Sequence, residues 1–123
     1  MPSVEELAQR LRTFADERDW GQFHTPKNLV MAAAGEMGEL VAEFQWLTPE
    51  QSAAVMNDPE AGARVRAELG DVVIYLTRLA DVLGVDLVQA ALDKLESSAK
   101  RYPVETARGS ITKAPHDRPP ARA

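Results

Sequence analysis

The sequence contains no cysteine and no excess of basic charge, and each shortage excludes a class of protein. Without cysteine there is no disulfide framework, no thiolate nucleophile and no zinc finger. The formal net charge of -5 argues against a general nucleic-acid binder, because such proteins neutralise phosphates with a basic surface. A ligand that carries phosphate would therefore need a metal ion or a few well-placed basic side chains.

Long apolar runs are also missing. No segment approaches the length that spans a membrane, and the N-terminal MPSVEELAQRL lacks the basic start and apolar run of a signal peptide. These features predict a cytoplasmic protein with no membrane partner. The 123 residues, 45% of them hydrophobic and 27% charged, suit one globular domain with a modest core.

Helical periodicity and helix-start signals dominate what is present. Ser3, Thr25, Thr48 and Asp58 each precede an amphipathic segment, and three of them are followed by a proline, which favours the first helical position. Gly84 is a suitable C-cap. No stretch alternates with a period of two residues, so the pattern predicts an all-α fold. We expect helices over about residues 4–18, 26–46, 49–56, 59–83 and 87–101.

The second of these helices carries acidic residues next to its apolar face. With about 100° of turn per residue, Glu36, Glu39 and Glu43 fall within about one sixth of the helix circumference. Charged side chains that serve only solubility normally lie on the helix face opposite the core, whereas these three border the apolar face. The adjoining apolar face consists of Met37, Leu40, Val41 and Phe44.

The fourth helix repeats the arrangement with Glu68 and Asp71, and Tyr75 lies on the same side. If the two helices face each other, four carboxylates gather around one point. Such a cluster repels itself unless a cation lies within it, and its hard oxygen ligands suit Mg²⁺ or Mn²⁺. The alternative is that each pair is an ordinary solvated helix face, as single ExxE motifs commonly are. Glu43 is an additional metal ligand, a residue in the outer shell of the metal site, or simply the next acidic residue on the surface.

Ring-bearing side chains are concentrated near the ends of the helices. Trp20 and His24 lie in the loop before the first acidic helix, and Trp46 follows that helix. An aromatic ring at the mouth of a metal site is suited to stacking on a nucleobase. The alternatives are core tryptophans and a histidine that only donates a structural hydrogen bond. Lys94 is either a solvated lysine or a cation for a metal-bound polyphosphate.

Three segments, in order, resemble the MazG-like, all-α nucleoside triphosphate pyrophosphohydrolases, and within them the dCTP pyrophosphatases. They are GEMGEL, ELGDVVIYL and DLVQAALDKLESSAKRYPV, preceded by FADERDWGQFHTPKNL. The resemblance covers about residues 5–104. It implies a four-helix-bundle domain over residues 1–103, assembled as a homotetramer that is a dimer of dimers. We expect residues 104–123, which are rich in proline and poor in apolar residues, to form a flexible tail.

The resemblance implies Mg²⁺-dependent cleavage of dCTP, or of a modified or related pyrimidine nucleotide, to the monophosphate and pyrophosphate. Alternatives are a broader or different base preference and a helical scaffold without activity. The positions that match the metal ligands of the family are Glu36, Glu39, Glu68 and Asp71. Those that match the base and sugar pocket are Trp20, His24, Asn28, Trp46 and Tyr75. Lys94 matches the phosphate-binding lysine. Ser98 stands where dCTP pyrophosphatases usually have an asparagine, so hydrogen bonding to phosphate or sugar differs there.

Overall fold

The computed structural model describes residues 1–114, and no β strand occurs among them. This confirms the predicted all-α class. Short 3₁₀ turns over Gly21–Phe23 and Val55–Asn57 separate some of the helices. The helices are α1 Val4–Glu17, α2 Pro26–Phe44, α3 Pro49–Ala53, α4 Pro59–Leu83, α5 Leu87–Arg101 and α6 Val104–Ala107. Within this described part of the chain, no helix combines the length and apolar content needed to cross a membrane.

The N-caps predicted from the sequence form as expected. Each of the four cap side chains accepts a backbone N–H from the first turn of its helix. At Thr48 the cap is reciprocal, because the Gln51 side chain also accepts the Thr48 N–H at 3.0 Å. Since these bonds are local, the starts of α1 to α4 follow directly from the sequence. The cap residues are Ser3, Thr25, Thr48 and Asp58.

Helix ends differ more from the prediction. The first two helices end one and two residues earlier than expected, at Glu17 and Phe44. The segment expected as one helix over residues 49–56 is instead divided at Ala54, which lies between α3 and the 3₁₀ turn that begins at Val55. The fourth helix ends as predicted at Leu83, and Gly84 adopts the left-handed conformation with φ of 69°. Ends depend on tertiary contacts, which local signals do not contain.

The chain divides into two compact units, Met1–Asp86 and Leu87–Ala123. In the first unit α2 packs along α4, and α1 packs against α4. Few side chains among the described residues are fully shielded from solvent. The apolar face predicted on α2 is partly exposed, since Met37 and Val41 are 48% and 49% exposed. The buried apolar residues are Ala8, Ala15, Leu29, Val65 and Ala80.

The second unit contains α5 and the short helix α6. The backbone N–H of Ala114 donates to the Tyr102 hydroxyl at 2.8 Å, so the segment after α6 folds back onto the end of α5. The sequence did not predict α6. Of the predicted tail, residues 115–123 lie outside the described residues, and the boundary at residue 103 stays a prediction.

We expect opposite effects from alanine at two glycines of α4. Gly84→Ala should lower the free energy of unfolding by about 1 kcal/mol, because φ of 69° is strained for a residue with a Cβ. Gly70→Ala should raise it by up to about 1 kcal/mol, because Gly70 is helical and a Cβ there meets nothing within 4 Å. Urea unfolding at one protein concentration measures both. Equal effects of the two substitutions would contradict this account of the helix end.

Candidate functional site

An acidic cluster forms where α2 packs along α4. Carboxylate oxygens of Glu36, Glu68 and Asp71 all lie within 4.8 Å of one another, and all three side chains are half-buried. The two acidic helices therefore face each other across this point. An arrangement of three hard oxygen ligands at this spacing fits a divalent cation.

Glu68 has the least favourable environment in the cluster. Its Oε2 atom is buried and has no hydrogen-bond partner among the described residues. The pKa of Glu68 is raised, first by desolvation, then by hydrogen bonding to Glu36, and then by the charges of Glu36, Asp71 and Glu39. Desolvation and the neighbouring negative charges thus both disfavour an ionised Glu68. A bound cation would offset the negative charge that these carboxylates place on one another.

Glu39 and Glu43 are placed differently from the other three acids. Glu39 is exposed and lies outside the group of three, although its charge contributes to the raised pKa of Glu68. Its role as a metal ligand stays a prediction. Both oxygens of Glu43 accept from Arg64 Nε at 3.1 Å. Glu43 is therefore paired with a cation of the protein and links α2 to α4.

The loop between α1 and α2 is fixed at both ends. Asp19 has φ of 53°, and the Trp20 N–H donates to the Ala15 carbonyl at 2.9 Å, which reverses the chain at the end of α1. At the other end, Asn28 Nδ2 donates to the Phe23 carbonyl at 2.9 Å. Asn28 thus holds the loop that carries the two predicted ring residues, Trp20 and His24.

A cavity of about 370 Å³ lies between α1, this loop and α4. Its volume is within the range of small-molecule sites. The Trp20 ring stands edge-on to Phe14, with centroids 5.6 Å apart, and to His24, with centroids 6.3 Å apart. The lining residues are Leu7, Arg10, Leu11, Phe14, Trp20, His24, Ile74, Tyr75 and Arg78.

The cavity brings together three of the predicted pocket residues, Trp20, His24 and Tyr75. Asn28 does not line it and acts on the loop backbone instead. Trp46 is 86% exposed and is also outside the lining. Ile74 of α4 is also part of the cavity wall. Lys94 and Ser98 lie on α5 in the second unit, and their roles stay predictions.

Sequence reasoning missed Arg78 and Phe14. Arg78 Nε donates to His24 Nδ1 at 3.1 Å, across 54 residues of sequence. The pKa of His24 is lowered, first by burial and then by the charge of Arg78. The available signal was helical spacing, since Arg78 follows Tyr75 by one turn of α4 on the same face.

Comparison with known proteins identifies relatives of the chain. The MazG-like family model matches residues 32–114. The chain is 44% identical over 112 residues to dCTP pyrophosphatase 1 of Bos taurus, covering 91% of this chain and 66% of the relative. It is 42% identical over 118 residues to dCTP pyrophosphatase 1 of Homo sapiens, covering 94% and 69%. The chain thus spans about two thirds of the length of these relatives.

A similar solved structure is the crystal structure of a pyrophosphatase from Archaeoglobus fulgidus. Its TM-score is 0.76 at 36% sequence identity, and the match covers 84% of this chain and 94% of that one. The family match extends over more than half of the sequence and includes all three clustered carboxylates. The chain belongs to the MazG-like family.

Proposed function

We propose that this protein is a divalent-cation-dependent pyrophosphohydrolase that converts dCTP, or a modified or related pyrimidine deoxynucleotide, to the monophosphate and pyrophosphate. The observation that carries the proposal is the cluster of Glu36, Glu68 and Asp71, with its buried, unpaired oxygen. Curated relatives with 42–44% identity are dCTP pyrophosphatases, which supports the substrate. We place the reaction in the cytoplasm.

The metal would be Mg²⁺ or Mn²⁺, held by the three clustered carboxylates with Glu39 as a fourth. When bound, such an ion withdraws charge from the α-phosphate and lowers the pKa of the attacking water. The water oxygen bonds to the α-phosphorus, the bond from that phosphorus to the bridging oxygen breaks, and pyrophosphate leaves. The carboxylates would hold the ion, and one of them would accept the proton of the attacking water. No side chain has to form a covalent intermediate.

The cavity beside α4 would hold the base. Trp20 and Tyr75 offer ring faces to a flat heterocycle, and the His24 edge offers a hydrogen bond. Lys94 and Ser98 would bind the phosphates or sugar, a role supported by the resemblance of their segment to the family. The acidic cluster and the cavity share α4, with Tyr75 one turn after Asp71.

We propose a homotetramer built as a dimer of dimers, and exposed apolar side chains on and just after α2 support self-association of the chain. Met37, Val41 and Trp46 are 48%, 49% and 86% exposed. A shallow groove on α2 is lined by Met37, Leu40, Val41, Phe44 and Gln45. Monomers rarely leave contiguous apolar surface of this kind uncovered. A second copy of the chain is the partner that we propose for it.

The closest alternative is a related enzyme with broader base preference, and the second is a scaffold without activity. A panel of dCTP, dTTP, dUTP, CTP and dATP with Mg²⁺ separates them. Preferential release of pyrophosphate from dCTP supports our proposal, and equal release from all five supports the broader enzyme. No release from any triphosphate would leave only the scaffold.

We predict that Asp71→Asn reduces kcat/KM by more than about 100-fold, since even an outer partner of a metal ligand is worth about 10–100-fold. The change removes a negative ligand and almost no volume, so the helical circular dichroism spectrum should not change. Glu43→Gln is the matched control, because Glu43 lies on the same acidic stripe but is paired with Arg64. Similar activities of the two variants would exclude the metal cluster as the reaction centre.

We also predict that Trp20→Ala lowers kcat/KM for all pyrimidine triphosphates by a similar factor. The expected loss of transition-state binding is about 1–3 kcal/mol, the usual contribution of an aromatic side chain that stacks on a base. The control is Phe23→Ala, because Phe23 belongs to the same loop, is 59% exposed and does not line the cavity. Measurement of kcat/KM for dCTP, dTTP and dUTP tests this. Unchanged values in Trp20→Ala would show that the cavity is not the base pocket.

A further inference from the structure

The hydrogen bond between Arg78 and His24 determines where the imidazole proton lies. A guanidinium group has hydrogen-bond donors and no acceptor. His24 Nδ1 accepts a hydrogen bond from Arg78 Nε at 3.1 Å, so Nδ1 must carry a lone pair. The proton of the neutral ring is then on Nε2. Because the ring lines the cavity and Nδ1 is occupied, Nε2–H is the polar group that His24 can offer to a ligand.

Arg78 is itself held in place. Its side chain is only 11% exposed, and its guanidinium lies 3.5 Å from one oxygen of Asp81. The other oxygen of Asp81 accepts from Arg12 of α1 at 3.1 Å. A chain of polar contacts thus runs from α1 through α4 to the loop, and it restricts the rotamer of the arginine that orients His24.

The charges around His24 keep the ring neutral. Burial and the nearby Arg78 lower the pKa of His24, so the ring does not gain a second proton near neutral pH. The cavity is lined by Arg10 as well as Arg78, and its lining residues include no carboxylate that would favour the imidazolium. His24 therefore offers one donor, in one tautomer.

We propose that Arg78 is a positioning residue that fixes His24 as an Nε2–H donor, and that this donor selects cytosine over uracil and thymine. Cytosine presents an unprotonated ring nitrogen that accepts a hydrogen bond, and the His24 donor has to face this nitrogen, because the neighbouring carbonyl oxygen is present in uracil and thymine as well. Uracil and thymine carry a hydrogen on that ring nitrogen, so a donor of the protein would face a donor of the base. This proposal rests on the proposed function, because it takes a pyrimidine triphosphate as the substrate.

The first test needs no activity. Long-range ¹H–¹⁵N NMR of the ¹⁵N-labelled full chain reports the tautomer and pKa of each histidine. The chain has 2 histidines, so His116→Gln identifies the signal of His24. We expect the Nε2–H tautomer and a pKa below the ordinary value of 6.5 in the wild type. In Arg78→Met we expect a mixture of tautomers and a higher pKa. An Nδ1–H tautomer in the wild type, or no change in Arg78→Met, would overturn the proposal.

The second test is the ratio of kcat/KM for dCTP to kcat/KM for dUTP. Arg78→Met should lower this ratio by up to about tenfold, the factor that corresponds to one neutral hydrogen bond. Arg64→Met is the matched control, since Arg64 is also on α4 but pairs with Glu43, and it should leave the ratio and the His24 tautomer unchanged. Arg78→Lys keeps a charged donor, so its dCTP to dUTP ratio should lie between those of Arg78→Met and the wild type. If Arg78 acted through packing alone, the lysine and methionine variants would have the same ratio.

The two tests separate the possible failures. If the wild type cleaves no triphosphate, but the His24 tautomer changes as expected between the wild type and Arg78→Met, the proposed function and the selection of cytosine are both overturned. A tautomer change with an unchanged dCTP to dUTP ratio in an active enzyme would overturn the selection alone. If Arg78→Met does not fold, Arg78→Lys with the same two measurements decides.

Discussion

Repulsion among Glu36, Glu68 and Asp71 is the constraint on which the rest of the structure depends. Packing of α2 along α4 holds carboxylate oxygens within 4.8 Å of one another, and one oxygen is buried without a partner. The fold has to hold the helices together against this repulsion. Buried Leu29 and Val65 and the ion pair of Glu43 with Arg64 contribute to doing so. A divalent cation at this point would offset the repulsion and add its binding free energy to the stability of the folded state.

The helix α4 relates the two parts of the site. Asp71, Tyr75 and Arg78 follow one another at intervals of three or four residues, so they lie along one face. With a rise of about 1.5 Å per residue, Arg78 is about 10 Å along the axis from Asp71. The same rigid element thus presents carboxylates for phosphates at one position and an aromatic cavity for a base at another. The loop after α1 completes the cavity because Asp19 reverses the chain there.

The sequence was most informative where a feature depends on near neighbours. The caps of α1 to α4 and the acidic stripes on α2 and α4 could be read from spacing, since each involves residues three or four apart. The contact of Arg78 with His24 could not, because it joins positions 54 residues apart. The left-handed turn at Asp19 was hidden for another reason, since glycine is the usual residue for that conformation. The exposure of Trp46 could not be predicted either, because exposure beyond a helix end depends on tertiary contacts that periodicity does not encode.

The relief of carboxylate repulsion by a cation can be measured directly through thermal unfolding of the wild type and Glu68→Gln, with and without saturating Mg²⁺. Glu68→Gln removes one charge of the cluster and retains the shape of the side chain. We expect the metal-free variant to have the higher Tm, and Mg²⁺ to raise the Tm of the wild type much more than that of the variant. Equal Tm values without metal, together with equal shifts on adding Mg²⁺, would contradict the account.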